Sequence, residues 1–378
     1  MSELMVSDES KTTAEARRSP LRIGMVAPPW FALPPRGYGG TEAVVASLVD
    51  GLVDRGHEVV LVASGPHRTK ATEYHRVYDV PPTERLGEPV PEVVTAAEAA
   101  RVLAEADVDL VHDHTLAGPL LARGRRQPTV VTAHGPVVGE DGLSLEKLGS
   151  SVDVVAISDA QRRLNPNLNW VGTVHNAIDV SSFPYRAAKD DYVLWLGRFS
   201  PQKAPDLAIE AARAAGRRII LAGKLNEAPE RRYYEERVAP LLGPDAEYVG
   251  EADASLKREL LSGAQALVFP IQWEEPFGMV MIEAMACGTP VVALRRGSVP
   301  EVVADGVTGL IVDDEAQLPD AIARAQELDP ADSRRRAAAD FDIPVMAERY
   351  ERVYRMLVEG TRSIRDLTGD DAAVEIAA

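Results

Sequence analysis

The chain has 378 residues, 46% of them hydrophobic and 26% charged, with a formal net charge of −17. That length exceeds what one core usually fills, so two domains are expected, and the acidic balance excludes nucleic acid or anionic lipid as partners held by general electrostatics. The single cysteine, Cys287, excludes an intrachain disulfide framework and a multi-cysteine zinc site, which fits a reducing cytoplasm.

In chain order, residues 1–20 are polar, lack an apolar run and read as a disordered extension, neither leader nor membrane span. "LRIGMVA" (21–27) is a buried strand, followed by an amphipathic helix in "GGTEAVVASLVDGLVDRGH" that ends at Arg55-Gly56. "EVVLVAS", "VDLVHDH", "TVVTAHG" and "VDVVAIS" are further strands, with helical segments interspersed. The irregular stretch "VSSFPYRAAKDD" marks a boundary near residue 185, and the pattern restarts at "YVLWLGRF" (192–199). Helices over 206–215, 230–238, 255–263 and 277–287 then alternate with "RIILAGK", "AEYVG", "ALVFP" and "PVVAL". The fold class is therefore α/β. Two doubly wound domains, 21–184 and 185–343, should face each other across a cleft, with ligands at the carboxyl ends of the strands. A final amphipathic helix, 344–366, could dock on either domain, and 367–378 reads as a flexible acidic tail. No stretch reaches membrane-spanning length.

"FPIQWEEPFGMVMIEAMACGTPVVA" (269–293) places Glu283 inside an otherwise apolar helix and Glu275 just before it. Pro276 suits a first turn, and Gly278 lets a ligand approach the backbone. The unpaired N–H groups of Phe277, Gly278, Met279 and Val280 then make a helix-start anion site suited to a diphosphate. A buried Glu283 needs a partner; a ribose bearing hydroxyl donors and an arginine from the same domain fit equally well. In "GRFSPQKAPD", Arg198 and Lys203 suit a diphosphate, although alone they read as surface cations. Gly39-Gly40 open the first helix where a phosphate-binding turn would sit, or a simple tight turn. The second strand ends in "VAS", without the acid that holds an NAD ribose, so a dehydrogenase is disfavoured. His134, with His112 and His114 in "VHDH", falls at strand ends; no third metal ligand lies nearby in sequence. His57, His67 and His75 read as ordinary surface or turn residues.

These motifs resemble the retaining glycosyltransferases of family 4, of the GT-B fold with two Rossmann-like domains, over roughly residues 21–365. The wording is most specific from Glu275 to Glu283, with "GRFSPQKAPD", "VHNAID" and "GSVPEVVADGVTGLIV" in support and "GGTEAVV", "VDLVHDH" and "TAHG" matching more loosely. The resemblance implies transfer of a hexose from a nucleotide-sugar to a hydroxyl acceptor, with UDP-glucose the first expectation and GDP-mannose the alternative. A nucleotide-sugar epimerase and a catalytically silent binding subunit are the other readings. It implies that Arg198 and Lys203 neutralise the diphosphate together with the amides at 278–280, and that Glu283 holds the ribose. Glu275 would contact the transferred sugar, His134 would line the reaction centre, Gly39 and Gly40 would close on the phosphates, and Lys224 would sit near the nucleotide. No metal and no cofactor beyond the donor substrate is implied, and the final helix is implied to cross back onto the first domain. Ala177 and Ala204 depart from the family, which often has glycine there. The loop 29–38, rich in aromatics and proline, is expected to shape the acceptor site, an unbound surface loop being the other reading.

Overall fold

The computed structural model describes residues 19–360 except Arg36 and Tyr38. The expected extension up to residue 18, the tail 367–378 and residues 361–366 of the expected last helix lie outside the described residues. Two sheets carry the architecture. The first contains β1 (Arg22–Val26), β2 (Glu58–Ala63), β3 (Glu73–Arg76), β4 (Leu110–Asp113), β5 (Thr129–Ala133), β6 (Asp153–Ala156) and β7 (Trp170–Thr173), in the order β3-β2-β1-β4-β5-β6-β7. The second contains β8 (Val193–Leu196), β9 (Ile219–Ala222), β10 (Ala246–Tyr248), β11 (Leu267–Phe269), β12 (Val291–Leu294) and β13 (Gly309–Val312), in the order β10-β9-β8-β11-β12-β13. Every pairing within them is parallel. Helices cover both faces, which is why strands such as β2, "EVVLVA", are apolar on both sides and buried after Glu58.

The α/β expectation of two doubly wound sheets holds. The edge strand β3, "EYHR", was not foreseen, because a half-exposed edge needs no apolar run. The expected helix 230–238 is a short α-helix, Ala228–Tyr233, that widens into a π-turn over Tyr234–Val238. The helix expected over 277–287 is Met279–Ala286, because Gly278 takes a left-handed conformation (φ 77°) and caps it.

The two halves are stitched where the chain crosses between them. Ile178 N–H donates to the Phe341 carbonyl at 3.0 Å, and Ile343 N–H returns a bond to the Ile178 carbonyl at 3.2 Å. The last helix, Ile343–Val358, then lies on the first domain, where Met346, Tyr350, Val353 and Tyr354 join the core around β1, β2 and the helix Gly40–Asp54. Met279, at the start of the second domain's helix, packs against the main cores of both halves.

Strand order turns at one place in each sheet, between β1 and β4 and between β8 and β11. Ligand crevices of doubly wound sheets open beyond the carboxyl ends of the strands at such points. The loops leaving β1, β4, β8 and β11 carry Gly39-Gly40, His114, Arg198 with Lys203, and Glu275, respectively.

Candidate active site

The loop after β11 is the best organised part of the crevice. Glu275 is 8% exposed. Its Oε2 accepts from Nε1 of Trp273 at 2.9 Å and from Nζ of Lys203. The Lys203 ammonium lies 5.6 Å from the ring centres of both Phe269 and Trp273, so the cation is held by a carboxylate and two aromatic faces. The loop after β12 braces the glutamate from behind. Ser298 N–H donates to the Glu275 carbonyl at 3.0 Å, Ser298 Oγ to the Phe277 carbonyl at 2.7 Å, and Gly297 N–H to Oε2 of Glu274 at 2.8 Å. Gly297 has φ 52°, and a Cβ there would fall 2.3 Å from the Glu275 carbonyl oxygen, so only glycine fits this backbone contact.

The helix Met279–Ala286 starts at the mouth of this loop. Met281 N–H already donates to the Gly278 carbonyl at 3.0 Å. The amides of Met279 and Val280 precede any intrahelical acceptor, and the helix dipole adds positive potential at this end. The expectation for Phe277 concerned its backbone N–H, and its side chain points elsewhere. Its ring is 2% exposed and packs 5.8 Å from His175 and 6.0 Å from Phe341, wedged into the core.

Glu283 lies one turn into the helix and is 9% exposed. Its Oε1 is 2.5 Å from Nζ of Lys257, on the helix Ala254–Gly263. The same-domain partner that burial demands is therefore a lysine and not the arginine considered from sequence. Nothing local to either residue signalled this pair, which spans 26 positions. Arg198 makes no hydrogen bond or ion pair among the described residues, and Lys224 pairs with Glu227 at 2.9 Å.

On the facing domain, Gly39 (φ 139°) caps the helix Gly40–Asp54, and the space beside the Gly40 Cα is open to 4 Å. His134 follows β5 and its loop is pinned by Gln161, whose Nε2 donates to the carbonyls of Ala133 at 2.7 Å and Gly135 at 2.8 Å. Nε2 of His134 lies 2.8 Å from Nδ1 of His114. His114 packs on His112 with ring centres 3.9 Å apart and the planes tilted by 40°. His112 in turn meets Tyr354 Oη at 2.7 Å and Thr132 Oγ1 at 2.8 Å. Burial holds His112 and His114 well below the usual imidazole range and pushes His134 down to about 4, so the trio is uncharged at neutral pH. Among the described residues no group of three His, Cys, Asp or Glu is placed to hold a metal ion. The sequence reading of His57 needs correction. It is 3% exposed and its Nδ1 accepts from Leu21 N–H at 3.0 Å, tying down the start of β1.

Between the halves lies a cavity of about 1040 Å³, walled by Phe31, Pro35 and Leu86 on one side and by Lys224, Glu227 and Glu251 on the other. From the loop expected to shape the acceptor site, Phe31, Ala32, Pro35 and Gly37 line this cavity, whose volume is large enough for a nucleotide-sugar or an acceptor. Among the described residues no helix is long and apolar enough to cross a membrane.

Trp273, Gly297, Ser298 and Lys257 are the site residues that sequence reasoning missed. Trp273 stands two residues before Glu275, and an indole N–H that close to a buried carboxylate was a usable signal. Gly297 and Ser298 open "GSVPEVV", a motif recognised without a role. Lys257 carried no signal, being one cation of an exposed-looking helix.

Comparison with known proteins bears on both halves. Residues 38–204 match the family model described as Glycosyltransferase Family 4, and residues 179–340 the model described as Glycosyl transferases group 1. A phosphatidyl-myo-inositol mannosyltransferase of Mycolicibacterium smegmatis is 29% identical over 323 residues, covering 77% of this chain and 81% of its own. The crystal structure of AviGT4, a glycosyltransferase involved in avilamycin A biosynthesis, is 28% identical, with a TM-score of 0.67 over 90% of this chain and 99% of that one. The Anabaena protein Alr3699/HepE, solved in complex with UDP-glucose, has a TM-score of 0.68 over 90% of this chain and 100% of that one; at 18% identity it supports the fold alone. With one model on each sheet and GT-B glycosyltransferases as structural neighbours, the chain belongs to the family 4, group 1 glycosyltransferases.

Proposed function

We propose that the chain transfers a hexosyl unit from a nucleotide-sugar to a hydroxyl acceptor with retention at the anomeric carbon and without a metal ion. The observation that carries this reading is the arrangement around one helix start. The free amides of Met279 and Val280 lie between Glu275, paired with Lys203, and Glu283, paired with Lys257. A diphosphate on those amides has a cation-held carboxylate on each side, one for the sugar and one for the ribose. Arg198 and the Lys203 ammonium supply the positive charge that a metal would otherwise bring to the leaving group. In the step, the bond from the anomeric carbon to phosphate breaks and the acceptor oxygen bonds to the same carbon on the same face. The acceptor proton passes to a donor phosphate oxygen. Gly39 and Gly40 approach the phosphates from the other domain, Lys224 lies toward the nucleotide, and His134 faces the sugar.

UDP-glucose is the first donor to test. GDP-mannose is the second, a mannosyl donor being in keeping with a relative named as a mannosyltransferase. An epimerase would consume the donor with no acceptor, and a silent subunit would bind it unchanged. Thermal shifts with UDP, GDP and ADP, each with and without magnesium, test the donor, since stabilisation scales with ligand excess over Kd. A shift with UDP or GDP that magnesium does not alter is expected; a shift that appears only with magnesium would overturn the metal-free mechanism. Glu275→Gln should bind the nucleotide as wild type does and lose transfer.

A further inference from the structure

His114 is held at both ring nitrogens. Its Nε2 lies 3.2 Å from Sδ of Met25, and its Nδ1 lies 2.8 Å from Nε2 of His134. A thioether sulfur bears no hydrogen and can only accept. The proton in the first contact therefore belongs to Nε2 of His114; the other tautomer would press a bare nitrogen lone pair against those of the sulfur. A neutral imidazole has one N–H, so Nδ1 of His114 is an acceptor. The proton in the second contact then belongs to Nε2 of His134, and Nδ1 of His134 is bare. That nitrogen takes no hydrogen bond among the described residues and is not among the sealed, partnerless atoms of the interior. The side chain itself is only half-buried, at the carboxyl end of β5. The His114 ring also packs on His112, itself held by Tyr354 and Thr132, with the planes tilted by 40°.

We propose that Met25 and His114 are positioning residues that lock His134 as its Nε2–H tautomer, so that Nδ1 meets the cleft as an acceptor and selects a hydrogen-bond donor on the bound sugar. The proposal rests on the functional reading that sets His134 against the sugar, and it sharpens it. The group opposite Nδ1 must be a hydroxyl or an amine; a carboxylate, which only accepts, is refused. It also accounts for the backing of His134 by a second histidine and a methionine rather than by a carboxylate. A carboxylate partner would instead favour the imidazolium form.

The test is 15N-resolved NMR of the full-length chain labelled at histidine, with signals assigned through His114→Gln and His134→Gln variants. Each ring nitrogen reports whether it carries hydrogen. Nε2–H on both His114 and His134 is expected; Nδ1–H on His134 in the wild type would overturn the proposal. Met25→Leu keeps the volume and removes the acceptor. In that variant both tautomers should exchange, giving His134 Nδ1–H, and an unchanged pattern would also overturn the relay. Calorimetric titration with UDP and UDP-glucose, or with GDP and GDP-mannose, then reads the sugar. Because a sugar hydroxyl both donates and accepts, it can turn to accept from Nδ1–H in Met25→Leu, so the sugar contact is read in His134→Ala, where the affinity added by the sugar should fall about tenfold while that for the bare nucleotide stays the same. An unchanged sugar increment in His134→Ala would refute the placement of His134 at the sugar.

Discussion

Glu275 owes its geometry to backbone contacts that reach it from another loop. Because a Cβ at position 297 would fall 2.3 Å from the Glu275 carbonyl oxygen, Gly297→Ala should shift the carboxylate away from Lys203. Donor turnover is expected to drop at least about tenfold, since small misplacements at a reacting centre are costly. Wild-type turnover by a folded Gly297→Ala protein would show that this brace does not matter. The Lys203 loop carries strain of its own. Ala204, at φ 45° and ψ 57°, is the one non-glycine residue at positive φ among the described residues. Its conformation is what the family's glycine would adopt freely, so Ala204→Gly should stabilise the protein by about 1 kcal/mol in urea unfolding. A loss of stability would mean that the extra freedom of glycine in the unfolded chain outweighs the relief of strain.

At the scale of elements, the short helix Asp159–Leu164 of the first domain begins against Glu301 of the second. Glu301 accepts from the N–H groups of Asp159 at 2.8 Å and Ala160 at 2.6 Å, and lies 3.3 Å from Nε2 of His175 and 3.6 Å from Arg163. A carboxylate at a helix start satisfies free donors and complements the dipole, here across the seam between the domains. Glu301→Ala should cost about 1–2 kcal/mol and speed amide hydrogen exchange at residues 159–161. Exchange unchanged at those amides would mean that Ser158, whose side chain accepts from Gln161 N–H, caps the helix unaided. Another long-range element contact is made by the last helix, whose Tyr350 and Tyr354 reach Thr132 and His112 beneath the histidine trio. The first domain's cleft wall is thus finished by the chain's final described element.

For the whole molecule, buried neutral histidines set the response to acid. His134 titrates at about 4 in the fold and near 6.5 when unfolded, because burial disfavours its charged form. Between those values the unfolded state binds the extra proton, so stability falls as pH drops from about 6.5 toward about 4. His57, His112 and His114, all lowered by burial, act in the same sense. Glu42, raised to about 7 by burial, acts in the opposite one, losing stability as pH rises from its ordinary value toward 7. His134→Gln isolates one contribution, because Glu42 is common to both proteins. Unfolding measured across pH 4–7 should show a flatter acid limb in the variant, and parallel curves would contradict the burial argument.

Periodicity and strand-end placement determined much of this protein on their own. Apolar runs between helical patterns are enough to imply parallel sheets, and the topology of parallel sheets sends the loops after β1, β4, β8 and β11 to the crevice. The wording from Glu275 to Glu283 pointed to the glycosyltransferase family through local chemistry: a proline, a glycine and two carboxylates around one helix start. Only the tertiary structure decided which groups answer them. Lys257 reaches Glu283 from another helix, Gly297 closes on Glu275 from another strand, and Met25, His114 and His134 meet from three strands of one sheet. Such partners come together through the closure of the fold, over separations at which no residue pattern records who faces whom. The protonation of His134 is settled there too, because a tautomer depends on what the far side of its neighbour touches.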